Sequence, residues 1–196
     1  MDAVRFDTRE LYQYGSIKLL GNLPYSAGGA ILANFLSRPI IVDCAVIMLQ
    51  KEFIDRMVAT PKTKDYGILT LRTQVDWTVN PVKTVGPEAF FPKPLIDSTV
   101  VRIDPTKTHH PPFDYKLFDS LIRRGFAQRR KMLRKAMPEN PEWEKVCTQL
   151  SITETCRAEE LPLNTWIELS RIYDQHPLKD KAQDPNELLD LSLIHI

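Results

Sequence analysis

Glycine is scarce in this chain, with 7 residues against 15 prolines among 196. Gly15, Gly21, Gly28, Gly29, Gly67, Gly86 and Gly125 are scattered, so neither a flexible Gly-rich linker nor a Gly-rich ligand-cradling loop is present. Cysteine is scarcer still. Cys44, Cys147 and Cys156 are odd in number and widely spaced, with no CxxC pair, and His109–His110 has no partner at a zinc-ligand interval. That pattern excludes a disulfide framework, points to reduced thiols and implies no metal. No apolar stretch reaches the roughly 20 residues of a membrane helix, and the acid-bearing start MDAVRFDTRE lacks the apolar core of a signal peptide. A cytoplasmic protein without a membrane partner is therefore expected. A large excess of charge is missing too: the formal net charge is +1, so any nucleic-acid partner must be sought in where charge sits.

Hydrophobic residues at 43% and charged residues at 26% fit a globular chain, long enough for a domain and a smaller companion. Ile17 to Gly21 is a short apolar run that fits a buried strand of a parallel sheet. A helix follows from about Gly29 to Leu36, then an apolar strand from Val42 to Leu49. The next helix carries Phe53, Ile54, Met57 and Val58 on one face. This strand–helix alternation predicts an α/β doubly wound sheet. The period does not decide between helix and strand for Ile68 to Trp77. Val79 to Val85 and Ser98 to Ile103 read as two more strands, separated by the proline-stiffened Ala89-Phe90-Phe91-Pro92-Lys93-Pro94. Asp104 to Pro112 (DPTKTHHPP) reads as a linker. Helical patterning then runs to about residue 176, with Trp143, Val146, Leu150, Trp166, Leu169 and Ile172 as expected core. The expected division is 1–104 for the α/β part, 105–112 for the linker, 113–176 for a helical domain and 177–196 for a polar tail. The closing hexapeptide 191–196 is also what a transposon-end sequencing adaptor encodes in frame; it is read as such an artefact, with a natural terminal strand as the alternative, and set aside.

Asn22-Leu23-Pro24-Tyr25 sits at the carboxyl end of the first strand, where open α/β sheets bind ligands. Methylation of an exocyclic adenine amine, which composition and periodicity do not themselves show, is one chemistry these residue types can serve. The nitrogen lone pair is delocalised into the ring, and two acceptors holding both amine hydrogens favour the tetrahedral nitrogen on which it becomes available. The Asn22 side-chain oxygen and a backbone carbonyl near Leu23 or Pro24 can supply them. Pro24 stiffens the turn, and Tyr25 offers an aromatic face to a flipped or single-stranded base. Stacking on one ring is worth on the order of 1–3 kcal/mol, about what unstacking costs, so a second ring is needed. Phe90 is the candidate. A core role for Phe90, or Phe91 in its place, are the competing readings.

Five stretches occur in order: GNLPY (21–25), MLQKE (48–52), Tyr66-Gly67, the loop from Ala89 through Asp97-Ser98, and FAQRRK (126–131). Together they resemble the bacterial small-subunit ribosomal RNA adenine dimethylases, the kasugamycin-sensitivity family, from about residue 2 to about 175. The resemblance implies the C-terminal part of a Rossmann-like methyltransferase sheet followed by a small all-helical domain. It implies S-adenosyl-L-methionine as methyl donor and dimethylation of two adjacent adenines near the 3′ end of small-subunit rRNA. The partner would be the immature small ribosomal subunit, and the protein a monomer. Asn22, Leu23, Pro24 and Tyr25 match the catalytic tetrapeptide, with Asn22 also near the cofactor methyl. Phe90 matches the ring that stacks on the target, and Asp2-Ala3 the acidic dipeptide whose Asp bonds the cofactor adenine. The family's Gly-rich loop and ribose-holding acid have no counterpart, so the chain is expected to be a fragment inactive alone.

Arg123 to Lys135 (RRGFAQRRKMLRK) holds seven basic residues and no acid. Read as a helix, it turns Phe126, Met132 and Leu133 inward and spreads Arg123, Arg124, Arg129, Arg130, Lys131 and Arg134 outward as a phosphate-tracking surface. A solvated face is the bland alternative, and Gln128-Arg129-Arg130 could equally serve packing. The rival functions are a large-subunit rRNA adenine methylase of the macrolide-resistance type and a non-catalytic RNA-binding or ribosome-assembly module. A DNA adenine methylase is disfavoured, because those usually carry Asp-Pro-Pro-Tyr.

Overall fold

The computed structural model describes residues 2–176, so the expected tail 177–196 and its hexapeptide 191–196 lie outside the described residues. The chain divides into two compact units. The first holds the described residues up to Asp55 together with Trp77–Thr106, and the second holds Arg56–Asp76 together with the described residues from Lys107 onward.

In the first unit β1 (Ile17–Asn22), α1 (Gly28–Phe35) and β2 (Val42–Gln50) form a parallel β–α–β unit. A short helix, α2 (Lys51–Met57), follows β2. Two further strands, β3 (Trp77–Val85) and β4 (Ser98–Pro105), complete a four-stranded sheet of order β1-β2-β4-β3, with β4 antiparallel to both neighbours. The α/β expectation holds. The period of two is plain in β2, where Ala45, Ile47 and Leu49 are buried and pair with Ile103, Val101 and Thr99. Onto this sheet α1 lays Ile31 and Leu32, each burial contributing roughly 1.5–3 kcal/mol. The approach is close at one point, since a Cβ on Gly28 would lie 2.2 Å from Leu49 Cδ2.

One strand expectation needs correcting. The run Ile17 to Gly21 is not buried: β1 is an outer strand of this sheet with alternating exposure, and Leu20 is 83% exposed. Leu20 pairs with Val46 on the sheet face opposite Ala45 and Ile47, and nothing among the described residues covers it.

The ambiguous Ile68 segment is a helix, α3 (Ile68–Gln74), begun by a side-chain bridge. Thr70 Oγ1 accepts from Gly67 N at 3.1 Å and donates to Arg56 O at 2.6 Å. With α4 (Tyr115–Ala127), α5 (Trp143–Leu150) and α6 (Leu163–Asp174) it forms the second unit. Asp114 caps α4, accepting from the amides of Lys116 and Leu117. Tyr66, Leu71, Phe118, Ile122, Trp166 and Tyr173 are central to the core. Of the expected core residues, Val146, Trp166, Leu169 and Ile172 are buried, while Trp143 and Leu150 pack half-buried against them. A linear boundary near 104 therefore differs from the observed units at residues 56–76. The physical reason is that Tyr66, Leu71 and Val75 complete a core built mainly from residues 113–173. Tyr66 Oη donates to Leu161 O at 2.6 Å, and burial pushes its ionisation well above the usual tyrosine range.

Candidate active site and basic segment

Strand register places the site residues on one rim of the sheet. Asn22 ends β1 beside Met48, Gln50 near the end of β2 pairs with Ser98 at the start of β4, and Val85 at the end of β3 pairs with Ser98 as well. The tetrapeptide and the loop between β3 and β4 thus leave the sheet on the same side. This is the carboxyl rim of β1, β2 and β3, the ligand side of an open α/β sheet.

Backbone hydrogen bonds hold the tetrapeptide. Leu23 N donates to Met48 O at 3.2 Å, tying the turn to β2. The Pro24 carbonyl accepts from Ala27 N at 3.1 Å and Gly28 N at 2.7 Å, which starts α1. That use resolves which carbonyl is available. Both acceptor positions of the Pro24 oxygen are taken, whereas the Leu23 carbonyl accepts no hydrogen bond among the described residues. Asn22 is exposed at the rim, and Tyr25 is half-buried with its hydroxyl 2.5 Å from Ser98 Oγ.

In the β3–β4 loop a 3-10 turn over Pro87–Ala89 ends where Phe90 N donates to Pro87 O at 3.2 Å. Phe90 is half-buried, while Phe91 is 102% exposed. A ring anchored along one side suits a stacking platform better than one with no packing at all. The loop closes where Lys51 N donates to Asp97 O at 3.0 Å.

Asp2 is exposed, its carboxylate accepting from Val4 N at 3.0 Å. The segment that bears it is tied to α1: Asn34 Nδ2 donates to Ala3 O at 3.2 Å and Phe6 O at 2.8 Å, and Phe6 stacks on Phe35 at 5.9 Å. Asp2 and Asn22 each carry a side-chain oxygen on an exposed residue. The sequence alone does not mark Asn34 and Ser98 as site residues. The only sequence signal for Asn34 is a polar residue within the apolar ILANFL, and Ser98 needs the sheet register to be seen.

The basic segment is not one helix. Helix α4 stops at Ala127, the chain turns at Gln128, and a short 3-10 turn spans Leu133–Lys135. Leu133 is buried and Phe126 packs on Trp166 with ring centroids 6.0 Å apart, while Met132 is only half-buried. Three of the six basic residues expected on the outer face have internal work. Arg123 pairs with Asp119 at 2.8 Å, and Arg72 grips the same carboxylate at 2.6 and 2.9 Å. Burial opposes charge on Asp119, but the hydrogen bonds and charges of Arg72 and Arg123 outweigh it and hold the carboxyl below the usual aspartate range. Arg124 donates to Ala136 O at 3.1 Å. Arg129 binds Glu159 at 2.5 Å and the carbonyls of Lys64 and Thr63 at 2.6 and 2.7 Å. Arg130, Lys131 and Arg134 are exposed and make no ion pair among the described residues. No described helix is long and apolar enough to cross a membrane, and no described cluster of His, Cys, Asp or Glu could hold a metal ion.

Comparison with known proteins adds the lineage. Among solved structures, a dimethyladenosine transferase from Plasmodium falciparum superposes with a TM-score of 0.64 at 24% identity, over 81% of this chain and 66% of that one. A 23S rRNA methyltransferase superposes at 0.60 with 20% identity, over 82% and 66%. These two establish the fold. Proteins named ribosomal RNA small subunit methyltransferase A match at higher identity. The one from Rhodospirillum rubrum is 37% identical over 157 residues, 80% of this chain, and that from Marinobacter nauticus 36% identical over 191 residues, 96% of it. The chain spans 54% of the Rhodospirillum relative and 68% of the Marinobacter one. The family model described as ribosomal RNA adenine dimethylase matches residues 1–175, and the chain belongs to that family.

Proposed function

We propose that this chain carries the catalytic tetrapeptide, substrate loop and RNA-binding helical unit of an rRNA adenine N6,N6-dimethyltransferase. Its substrate would be two adjacent adenines near the 3′ end of small-subunit rRNA in an immature small ribosomal subunit. One observation carries the reading. The exposed Asn22 side chain, the unengaged Leu23 carbonyl and the half-buried Phe90 ring all belong to one rim of the sheet. The Asn22 oxygen and the Leu23 carbonyl accept the two amine hydrogens and draw the nitrogen toward the tetrahedral form, while Tyr25 and Phe90 take the two faces of the adenine. S-adenosyl-L-methionine, when bound, supplies the electrophilic methyl group. Asp2 is assigned to its adenine, Ala3 lies beside Asp2, and Asn22 lies at its methyl end. Arg130, Lys131 and Arg134 track phosphates, whereas Arg123, Arg124 and Arg129 chiefly brace the helical unit that presents them.

The test uses the chain extended with the parts of its Rhodospirillum rubrum relative that lie outside the matched stretch. Labelled methyl transfer is measured to undermethylated small subunits and, separately, to large-subunit rRNA, with the products digested to nucleosides. Dimethyladenosine from the small subunit is expected. Label appearing only in the large-subunit RNA would move the assignment to the macrolide-resistance type. No label, from a folded chain that still binds the RNA, would leave a binding module.

A further inference from the structure

Ser98 is fully buried at the first position of β4, and its hydroxyl lies 2.5 Å from that of Tyr25, 73 residues away in sequence. In the sheet β2 lies between β1 and β4, so the Tyr25 side chain reaches over the carboxyl end of β2 to touch β4. Ser98 is also where the β3–β4 loop re-enters the sheet, seven residues after Phe91. The contact therefore joins the two segments that carry the candidate stacking rings. Each segment is separately pinned through its backbone, by Leu23 N on Met48 O of β2 and by the N of Lys51, the first residue after β2, on Asp97 O. Those bonds fix the chain but leave the Tyr25 ring free to turn about its side-chain torsions. The hydroxyl pair stops the ring from swinging about its first side-chain torsion, since it anchors the far end of the ring.

We propose that Ser98 is a positioning residue for adenine methylation: by holding the Tyr25 hydroxyl it fixes where the far end of the Tyr25 ring lies relative to the Phe90 loop, so that a flat base is received in one position. The inference rests on the proposed function and adds a residue to it. A buried serine that merely satisfied its own polarity would affect folding stability and leave the reaction alone. A positioning serine acts on turnover, because misplacing a reacting amine by about 1 Å costs up to roughly a hundredfold.

The experiment compares Ser98→Ala, Tyr25→Phe and the double variant in the extended chain. Tyr25→Phe keeps the ring and removes only the hydroxyl, so it remains informative even where Ser98→Ala folds poorly. Each single variant is expected to lower kcat by about tenfold to a hundredfold with little change in KM for RNA. The double variant should be no worse than the worse single one, because both changes remove the same contact. A second readout needs no methyl donor: 2-aminopurine at the target position of a short RNA should be quenched by the parent chain and less so by both single variants. Unchanged kcat and quenching in Tyr25→Phe, or losses that multiply in the double variant, would overturn the inference. Failure of the parent chain itself to methylate adenine would instead remove the function on which the inference rests.

Discussion

The two units treat their large apolar side chains in opposite ways. The helical unit buries them: Trp166, Tyr66, Tyr173 and Phe118 are each at most 1% exposed. Among the described residues every large hydrophobic one that is exposed, including Leu20, Val82, Phe91 and Leu95, belongs to the sheet unit. Long-range ion pairs differ as well, although Lys145–Glu142 and Arg171–Glu168 in the helical unit are as local as those of the sheet unit. In the helical unit Asp119 is shared by Arg72 and Arg123, and Arg129 is shared by Glu159 and two carbonyls. The ion pairs at Arg9–Asp7 and Arg102–Asp104 in the sheet unit are short-range and exposed, and contribute little. The lesson is that one unit turns its large rings inward and shows solvent the cations Arg130, Lys131 and Arg134, unpaired among the described residues, whereas the other leaves large apolar side chains open for contact.

Substitutions can break this contrast. Trp166→Ala removes a ring that touches Phe126 and lies against Gly125, where an added Cβ would meet it at 2.6 Å. A loss of about 3–5 kcal/mol is expected from such a cavity, read as a lower urea midpoint. Next comes Asp119→Asn, which leaves Arg72 and Arg123 facing a neutral amide and should cost about 3 kcal/mol at neutral pH. Its pH dependence has a definite sign. Because the folded carboxyl lies below its ordinary value of 3.8, the stability it adds is complete above that range and fades as pH falls through the folded value. The parent chain and Asp119→Asn should therefore converge in unfolding midpoint in strong acid.

A smaller effect sharpens the charge comparison. Replacing Arg130 and Arg134 with Ala should lower the slope of log affinity against log salt by about 1 for each phosphate that is no longer neutralised, with little change in stability. Arg129→Ala should behave in the opposite way, lowering the unfolding midpoint more than the salt slope. The smallest effect belongs to Phe91→Ala, whose ring has no packing to lose. Its unfolding midpoint should stay within the equivalent of about 0.5 kcal/mol.

What the sequence revealed was local. The tetrapeptide at a strand end, the strand–helix alternation and the proline-stiffened loop are short-range patterns, and each reappears in the structure where periodicity puts it. Long-range terms account for what it hid. Ile17 to Gly21 is apolar enough to read as buried, yet apolarity does not say whether a strand has neighbours on both sides and covers on both faces. Tyr66, Leu71 and Val75 carry no mark of joining a core formed much farther along the chain. The basic run looked helical throughout because its period cannot register that Arg129 finds Glu159, Lys64 and Thr63 once the helix has ended. The choice of Leu23 over Pro24 as backbone acceptor, and the pairing of Tyr25 with Ser98, depend on hydrogen bonds that no spacing rule encodes.

The central claim is that Asn22 presents an acceptor to the target amine at the rim of the sheet. The most direct measurement is labelled methyl transfer to undermethylated small subunits by the extended chain, with and without Asn22→Ala, alongside RNA affinity at one salt concentration. Loss of one preorganised acceptor should cut transfer by about 10²–10³ while RNA affinity holds. Transfer that survives Asn22→Ala at the parent rate would contradict the account.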